Sequence, residues 1–221
     1  MMEVVGFAVF GYLLGSLPFG VIFGRLFGGV DVRDHGSGST GMTNVLRTAG
    51  APAAALVLLL DMLKGAAAIV AAKLVTGVPG VEVAAGLGAI AGHMWPVFAG
   101  FRGGKGVSPG WGGLFPLEPV SGIVAGLIGV TMIALSRYAS LGSLVGALSG
   151  SAILAAMALL GGTPDAYALY GIIGSVLVVA KHKDNIVRLS RGEERRFGST
   201  PDGAGEQKAS RSRVLRWPRS A

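Results

Sequence analysis

Within its first 180 residues this chain carries 8 Lys+Arg and 7 Asp+Glu, strung between long apolar runs. That scarcity of charge constrains the fold more than any other feature. Soluble domains are about 25% charged, whereas here 14% of 221 residues are charged and 51% are hydrophobic. A water-soluble enzyme and a disordered chain are both excluded. The chain has no cysteine, which removes a disulfide scaffold, a cysteine nucleophile and a cysteine metal site. The net charge of +7 is mostly a tail: residues 181–221 hold 11 Lys+Arg and 5 Asp+Glu. A basic extension beside a membrane is explained by anionic lipid and topology, so no nucleic-acid partner is expected.

A spanning helix needs about 20 mostly apolar residues. Six stretches qualify, at about 4–27, 52–75, 81–101, 120–136, 141–160 and 166–180, each bounded by Gly, Pro or charge. The first lacks a basic leader segment and reads as a span, not a cleaved signal peptide. The stretch 106–119 is apolar but short and glycine-rich, and a dozen helical residues cover only about 18 Å. Charge resolves its status. Arg25, Arg33, Arg47, Arg102, Lys105, Arg137 and the tail are basic markers, while Glu3, Glu82, Glu118 and Asp165 mark the intervening turns. All the basic segments fall on the cytoplasmic side only if 106–117 also crosses. The expected fold is therefore an all-α integral membrane protein of seven transmembrane helices. The fourth is short or broken, the N-terminus lies outside and the C-terminus is cytoplasmic. Residues 1–195 form the membrane domain, and 196–221 a basic, disordered tail.

Two loops on that face look built for anions. The first, 31–47, combines Gly36, Gly38 and Gly41 with Ser37, Ser39, Thr40, Thr43, Asn44 and Arg47. Its glycines let several backbone N–H groups face one anion, and Arg47 adds a planar fork suited to phosphate. A flexible surface loop is the competing reading. The second loop sets Arg102 and Lys105 around Gly103 and Gly104; simple anchoring at the membrane edge is its competitor. His93 lies inside an apolar span, either functional or a hydrogen-bonded core histidine. Ser140 and Ser143 begin a later span. His182 and Asn185 are three apart and share a helix face, which Arg188 continues. The tail beyond Arg191 reads as a solvated segment against anionic lipid. Two Gly-plus-cation loops on one side suggest a substrate bearing phosphate, and the apolar helices suggest that the rest of it is lipid.

These segments resemble the bacterial acyl-phosphate-dependent glycerol-3-phosphate acyltransferases, the PlsY family. The resemblance is carried by GSLPFG (15–20), GSGSTGMTNVLRTAG (36–50), DMLKG (61–65), GHMWPVFAGFRGGKGV (92–107), RYASLGS (137–143) and HKDNIVRLSRGEE (182–194). It departs at Ser39, where the family usually has Asn, at Met42, where it usually has Ala, and after DMLKG, where a Pro is common. The resemblance implies a bacterial inner-membrane enzyme with a cytoplasmic active site. It implies acyl transfer from acyl phosphate to the 1-hydroxyl of glycerol 3-phosphate, giving lysophosphatidic acid and phosphate, the first step of phospholipid synthesis.

By motif position the resemblance assigns catalytic roles to Ser37, Arg47, Lys105, His182 and Asn185. Substrate-binding roles fall to Gly36, Gly38, Ser39, Gly41, Thr43, Asn44, Arg102, Gly103, Gly104, Ser140 and Ser143. Arg47 and Lys105 hold phosphates, and one of Ser140 and Ser143 places glycerol phosphate. Either His182 or the substrate's phosphate takes the hydroxyl proton. Direct transfer is expected over a Ser37 acyl-enzyme, because the donor is already activated. No cofactor and no metal is implied, and a monomer is expected. The His-x4-Asp pattern of another acyltransferase class is absent: five residues after His35, His93 and His182 stand Thr40, Phe98 and Val187. The alternative is a small transporter or channel for an anionic solute, kept open by Asp61 and Lys64 within a span. Those two are also placed to pair on one helix face.

Overall fold

The computed structural model describes residues 1–197. The expected tail therefore lies, from residue 198 onward, outside the described residues. Among those described there is no strand. The helices run α1 (Met2–Gly15), α2 (Phe19–Gly28), α3 (Met42–Ala49), α4 (Ala51–Val75), α5 (Pro79–Met94), α6 (Val107–Leu117), α7 (Pro119–Ser136), α8 (Ala139–Leu159), α9 (Ala166–Lys181) and α10 (Lys183–Ser190).

Five segments are long and apolar enough to cross a membrane: Met2–Gly28, Ala51–Val75, Pro79–Ala99, Pro119–Ser136 and Ala139–Leu159. Their outward faces are apolar, as lipid requires. Leu127, Val130 and Leu135 on α7 are more than half exposed, as is Val176 on α9. Helix α9 is a shorter apolar helix, and α6 has 11 residues. The first span, expected as one continuous helix, is instead broken between Gly15 and Phe19. Pro18 has no N–H to continue the ladder, and the Ser16 hydroxyl donates back to Tyr12 O at 2.8 Å. The third span likewise stops at Met94, before Pro96, and continues as a 3-10 turn at Val97–Ala99.

Helix termini follow local chemistry. Glu118 caps α7 by accepting hydrogen bonds from the Val120 and Ser121 backbone N–H groups, and Pro119 follows at the first helical position. Small residues then let helices approach closely, the usual packing mode in lipid. Gly11 and Gly15 of α1 face the Ala85 and Ala89 backbone of α5, and Gly65 of α4 faces Pro109 of α6. The main core lies between α4, α5, α6, α8 and α9, around Ile69, Ile90, Met94, Leu114, Leu154 and Tyr170.

The two ends of the bundle differ. At one end the starts of α5 and α9 meet through a 2.6 Å hydrogen bond from Tyr167 to Glu82. There too Lys73, near the end of α4, donates to Pro116 O near the end of α6. At the other end Arg33 of the first loop donates to Ala99 O of the second at 2.7 Å. That second end also joins Lys105 to α10 and the start of α8 to Glu194.

Candidate functional site

A cavity of about 440 Å³ opens at this second end. It is amphiphilic along its length. The polar end is lined by Ser37, Ser39, Thr43, Arg47, Lys105, Ser140, Ser143, His182, Asn185, Arg188, Glu194 and Arg195. The apolar end runs between α6, α7, α8 and α9 and includes Val107, Trp111, Leu114, Val130, Ile133, Ala147 and Tyr170.

The first loop owes its shape to Asn44, which is buried on α3. Asn44 Oδ1 accepts from Ser37 N at 2.9 Å. Its Nδ2 donates to Val32 O, His35 O and Ser39 O at 2.8, 3.1 and 2.9 Å. Asn44, expected to support this loop as well as to bind substrate, does support it: both its polar atoms are committed to the loop. Gly36 is left-handed, and a Cβ there would overlap Asn44 Oδ1, so both the conformation and the space call for glycine. The expected backbone cradle is largely spent inside the loop: Ser37 N goes to Asn44, Gly38 N to His35 O at 3.0 Å and Gly41 N to Ser39 Oγ at 3.3 Å. From this loop Ser37, Ser39, Gly41, Thr43, Asn44 and Arg47 border the cavity. Burial lowers the pKa of Arg47, and nearby Arg195 lowers it further. Met42 packs with the Val45 cluster under the loop and also borders the cavity.

The second loop divides its labour. Lys105 borders the cavity and donates to Asn185 Oδ1 at 2.5 Å. Arg102 instead turns away to the first loop, donating to Arg33 O at 3.1 Å and standing 3.5 Å from Asp34. Gly103 and Gly104 lie behind the lining residues, and Gly104 N donates to His93 O at 3.0 Å. Of these three, expected to touch the anion, Arg102 joins the two loops, while Gly103 and Gly104 pack against the end of α5 just before Lys105. Burial pushes the Lys105 pKa down to about 8, with Arg188 and Arg47 adding to the effect and Glu194 opposing it.

His182 stands at the junction of α9 and α10, almost fully buried. Its Nδ1 lies 2.8 Å from Val178 O. A carbonyl only accepts, so Nδ1 carries the hydrogen and Nε2 is the free acceptor. Burial and the Lys105 charge push the His182 pKa down to about 4, so the ring is neutral near pH 7.

Glu194 is the member that sequence reasoning missed. Its carboxylate accepts from Ser140 Oγ at 2.8 Å, Asn185 Nδ2 at 2.7 Å and Arg188 Nε at 2.8 Å. Burial works against its charge, but those hydrogen bonds outweigh it and its pKa lies below the ordinary carboxylate value. The segment after Arg191, expected to lie on lipid, therefore folds back over the site. A lone pair of acids inside a basic run was the available signal. Ser140 is engaged by Glu194 and Ser143 borders the cavity beside it.

Bundle and cavity together define a membrane protein with a cationic head site that opens onto an apolar arm. A family profile described as glycerol-3-phosphate acyltransferase matches residues 5–192. Glycerol-3-phosphate acyltransferase 3 of Dehalococcoides mccartyi strain CBDB1 is 44% identical, over 84% of this chain and 92% of its own length. The glycerol-3-phosphate acyltransferase of Rubrobacter xylanophilus is 43% identical over 93% and 100%. The crystal structure of PlsY, an integral membrane glycerol 3-phosphate acyltransferase, in its glycerol 3-phosphate form superposes with a TM-score of 0.81. The two share 36% identity, over 88% of this chain and 96% of that one. Its lysophosphatidic acid form gives 0.79 over 88% and 95%. This chain belongs to the glycerol-3-phosphate acyltransferase family, and it is a multi-pass membrane protein.

Proposed function

We propose that the protein acylates the 1-hydroxyl of glycerol 3-phosphate with acyl phosphate as donor, releasing lysophosphatidic acid and inorganic phosphate. The observation that carries this reading is the amphiphilic cavity: Arg47, Lys105, Arg188 and Arg195 at one end, an apolar arm at the other. Both substrates bring phosphate and one brings an acyl chain, so such a cavity matches their combined chemistry. Family membership and the substrate and product named for the two PlsY structures support the acceptor.

The 1-hydroxyl oxygen attacks the acyl carbonyl carbon, and the carbon–oxygen bond to phosphate breaks. Phosphate departs as an already stable anion, and Lys105 and Arg47 hold the developing charge. The hydroxyl proton has two candidate acceptors. His182, at about 4, is a weaker base than a phosphate monoester, whose second pKa is about 6. The substrate's phosphate therefore takes the proton, and His182 Nε2 accepts a hydrogen bond that orients the hydroxyl. Ser37 and Ser39 bind phosphate, and Ser143 with Thr43 borders the glycerol.

The same reading places seven crossings in a bacterial inner membrane, with the N-terminus outside. The first and second loops, the turn before α8 and the segment after α9 share one end of the bundle, whereas Pro116 and Glu82 lie at the other. That arrangement needs α6 to cross despite its 11 residues, and Arg102, Lys105 and Arg137 make the shared end cytoplasmic. Both ends of the cavity are lined by described residues of one chain, which supports a monomer. A transporter would need polar residues at both ends of a path; here they gather at one, and Asp61 and Lys64 close on each other at 2.7 Å.

The test is an assay of purified protein with glycerol 3-phosphate and, separately, acyl phosphate, acyl-CoA or acyl carrier protein as donor. Phosphate release and lysophosphatidic acid with acyl phosphate alone are expected. Turnover with acyl-CoA alone would overturn the donor assignment.

A further inference from the structure

Asp61 and Lys64 have no place in the chemistry above, yet both are buried deep in α4, 1% and 4% exposed. Lys64 Nζ stands 2.7 Å from Asp61 Oδ1 and donates to Leu17 O at 3.1 Å, in the break between α1 and α2. On its other side Asp61 Oδ1 lies 3.5 Å from Nδ1 of His93, itself buried on α5. Among the described residues, Lys64 and His93 are the carboxylate's charge partners, and neither Asp61 oxygen receives a well-formed hydrogen bond. The far edge of the His93 ring, at Nε2, lies against Gly104, where a Cβ would overlap it. The same residue's carbonyl accepts from Gly104 N at 3.0 Å. Gly104 precedes Lys105, whose ammonium reaches the cavity and Asn185.

A buried ion pair is poor evidence for stability, because well-packed apolar residues of equal volume often do as well or better. A phenyl ring in place of His93 would fill the same space without a polar group to desolvate. A polar ring in this place is useful if its orientation matters. The final torsion of a histidine is soft, so a charged partner beside Nδ1 favours one edge toward Gly104. The Asp61 carboxylate, 3.5 Å from Nδ1, is that charged partner, and Lys64 ties Asp61 to the helix break.

We propose that Asp61, Lys64 and His93 form a buried relay that sets the position of Lys105 by holding the Gly104 backbone. All three are positioning residues in this reading, His93 from the wall of the cavity itself. The inference rests on Lys105 serving the acyl transfer proposed above. Displacing a catalytic group by about 1 Å can cost about 100-fold, so disabling the relay should lower kcat/KM about 10- to 100-fold.

The experiment is a double-mutant cycle in the full-length protein, assayed with acyl phosphate and glycerol 3-phosphate. His93→Phe keeps the ring volume and removes the link to Asp61. The paired variant Asp61→Asn/Lys64→Met removes both interior charges together, so neither is left buried alone. Each is made in the wild-type and in the Lys105→Ala background. A relay acting through Lys105 predicts the 10- to 100-fold loss in the first background and less than about 3-fold in the second, because the two changes remove one function. Losses that multiply equally in both backgrounds would show a general structural role and overturn the inference, as would a fully active His93→Phe. Should His93→Phe fail to fold, the paired variant reads the same cycle. A wild-type protein inactive with these substrates would instead sink the proposed reaction.

Discussion

Lys105 Nζ lies 2.5 Å from Asn185 Oδ1, joining two residues 80 positions apart. One belongs to the loop after α5 and the other to the helix after α9. Asn185 in turn donates to Glu194 at 2.7 Å. The amide thus bridges a cation and a carboxylate, holding the ammonium at the mouth of the cavity.

Lys105→Ala should lower kcat/KM about 100- to 1000-fold, the scale of losing one donor to a developing oxyanion. The thermal midpoint should stay close to that of the wild type, because the removed group faces the cavity. Steady-state kinetics beside a melting curve checks both. Near-normal turnover would remove Lys105 from the mechanism.

Activity should fall on the alkaline side earlier than an ordinary lysine would allow. Burial first, then Arg188 and Arg47, bring the Lys105 pKa to about 8; a lysine in water would hold its charge to about 10.4. A lowered lysine pKa means the ammonium is lost sooner as pH rises. The profile of kcat/KM, which reports the free enzyme, should bend downward near pH 8. The acid limb should carry the titration of the substrate phosphate, near about 6, and no inflection from His182, whose pKa lies at about 4. An inflection near 6.5 that vanishes in His182→Asn would contradict this.

Removing the Glu194 carboxylate leaves Arg188 without its anion and leaves Arg47, Lys105 and Arg195 in mutual repulsion. Glu194→Gln should therefore melt at a lower temperature than the wild type. Inorganic phosphate should restore part of the loss, since an anion that binds only the folded state stabilises it. The phosphate-dependent rise should be larger in Glu194→Gln than in the wild type. Equal rises in both proteins would show that Glu194 does not balance the phosphate-binding cations.

Asn44→Leu should cost about 2–4 kcal/mol of stability, because it strands a buried N–H and several carbonyls that now share one amide. The lost order lies in the first loop, so activity should fall as well. Hydrogen exchange over residues 32–44 is the direct measurement. Unchanged protection there would show that the loop does not depend on Asn44.

Much of this was legible in the sequence for one reason: lipid excludes charge, so sparse charge between apolar runs marks spans directly. The bounds of α4, α7, α8 and α9 fall within a few residues of those read from hydropathy. The break inside the first span was less visible, because the residues around Pro18 stay apolar and a hydropathy window averages over the kink. Ser37, Arg47, Lys105, His182 and Asn185 are brought to one cavity from motifs spread over nearly 150 positions. Arg102, Gly103 and Gly104 illustrate the opposite case. Their composition is that of an anion loop, yet the Arg102 guanidinium goes to Asp34 and the Gly104 N–H to His93.

The sequence by itself determined the class of solvent, the helical architecture and the residue types from which a phosphate site can be made. Those follow from composition and spacing, which act locally. Only the tertiary structure decided which donors remain for a ligand, because a hydrogen bond already made inside the protein is not available outside it. It also brought Glu194 back over the cations and linked Asp61, through His93, to the loop that carries Lys105. No local pattern encodes such contacts, because each joins segments that meet only when the helices have packed.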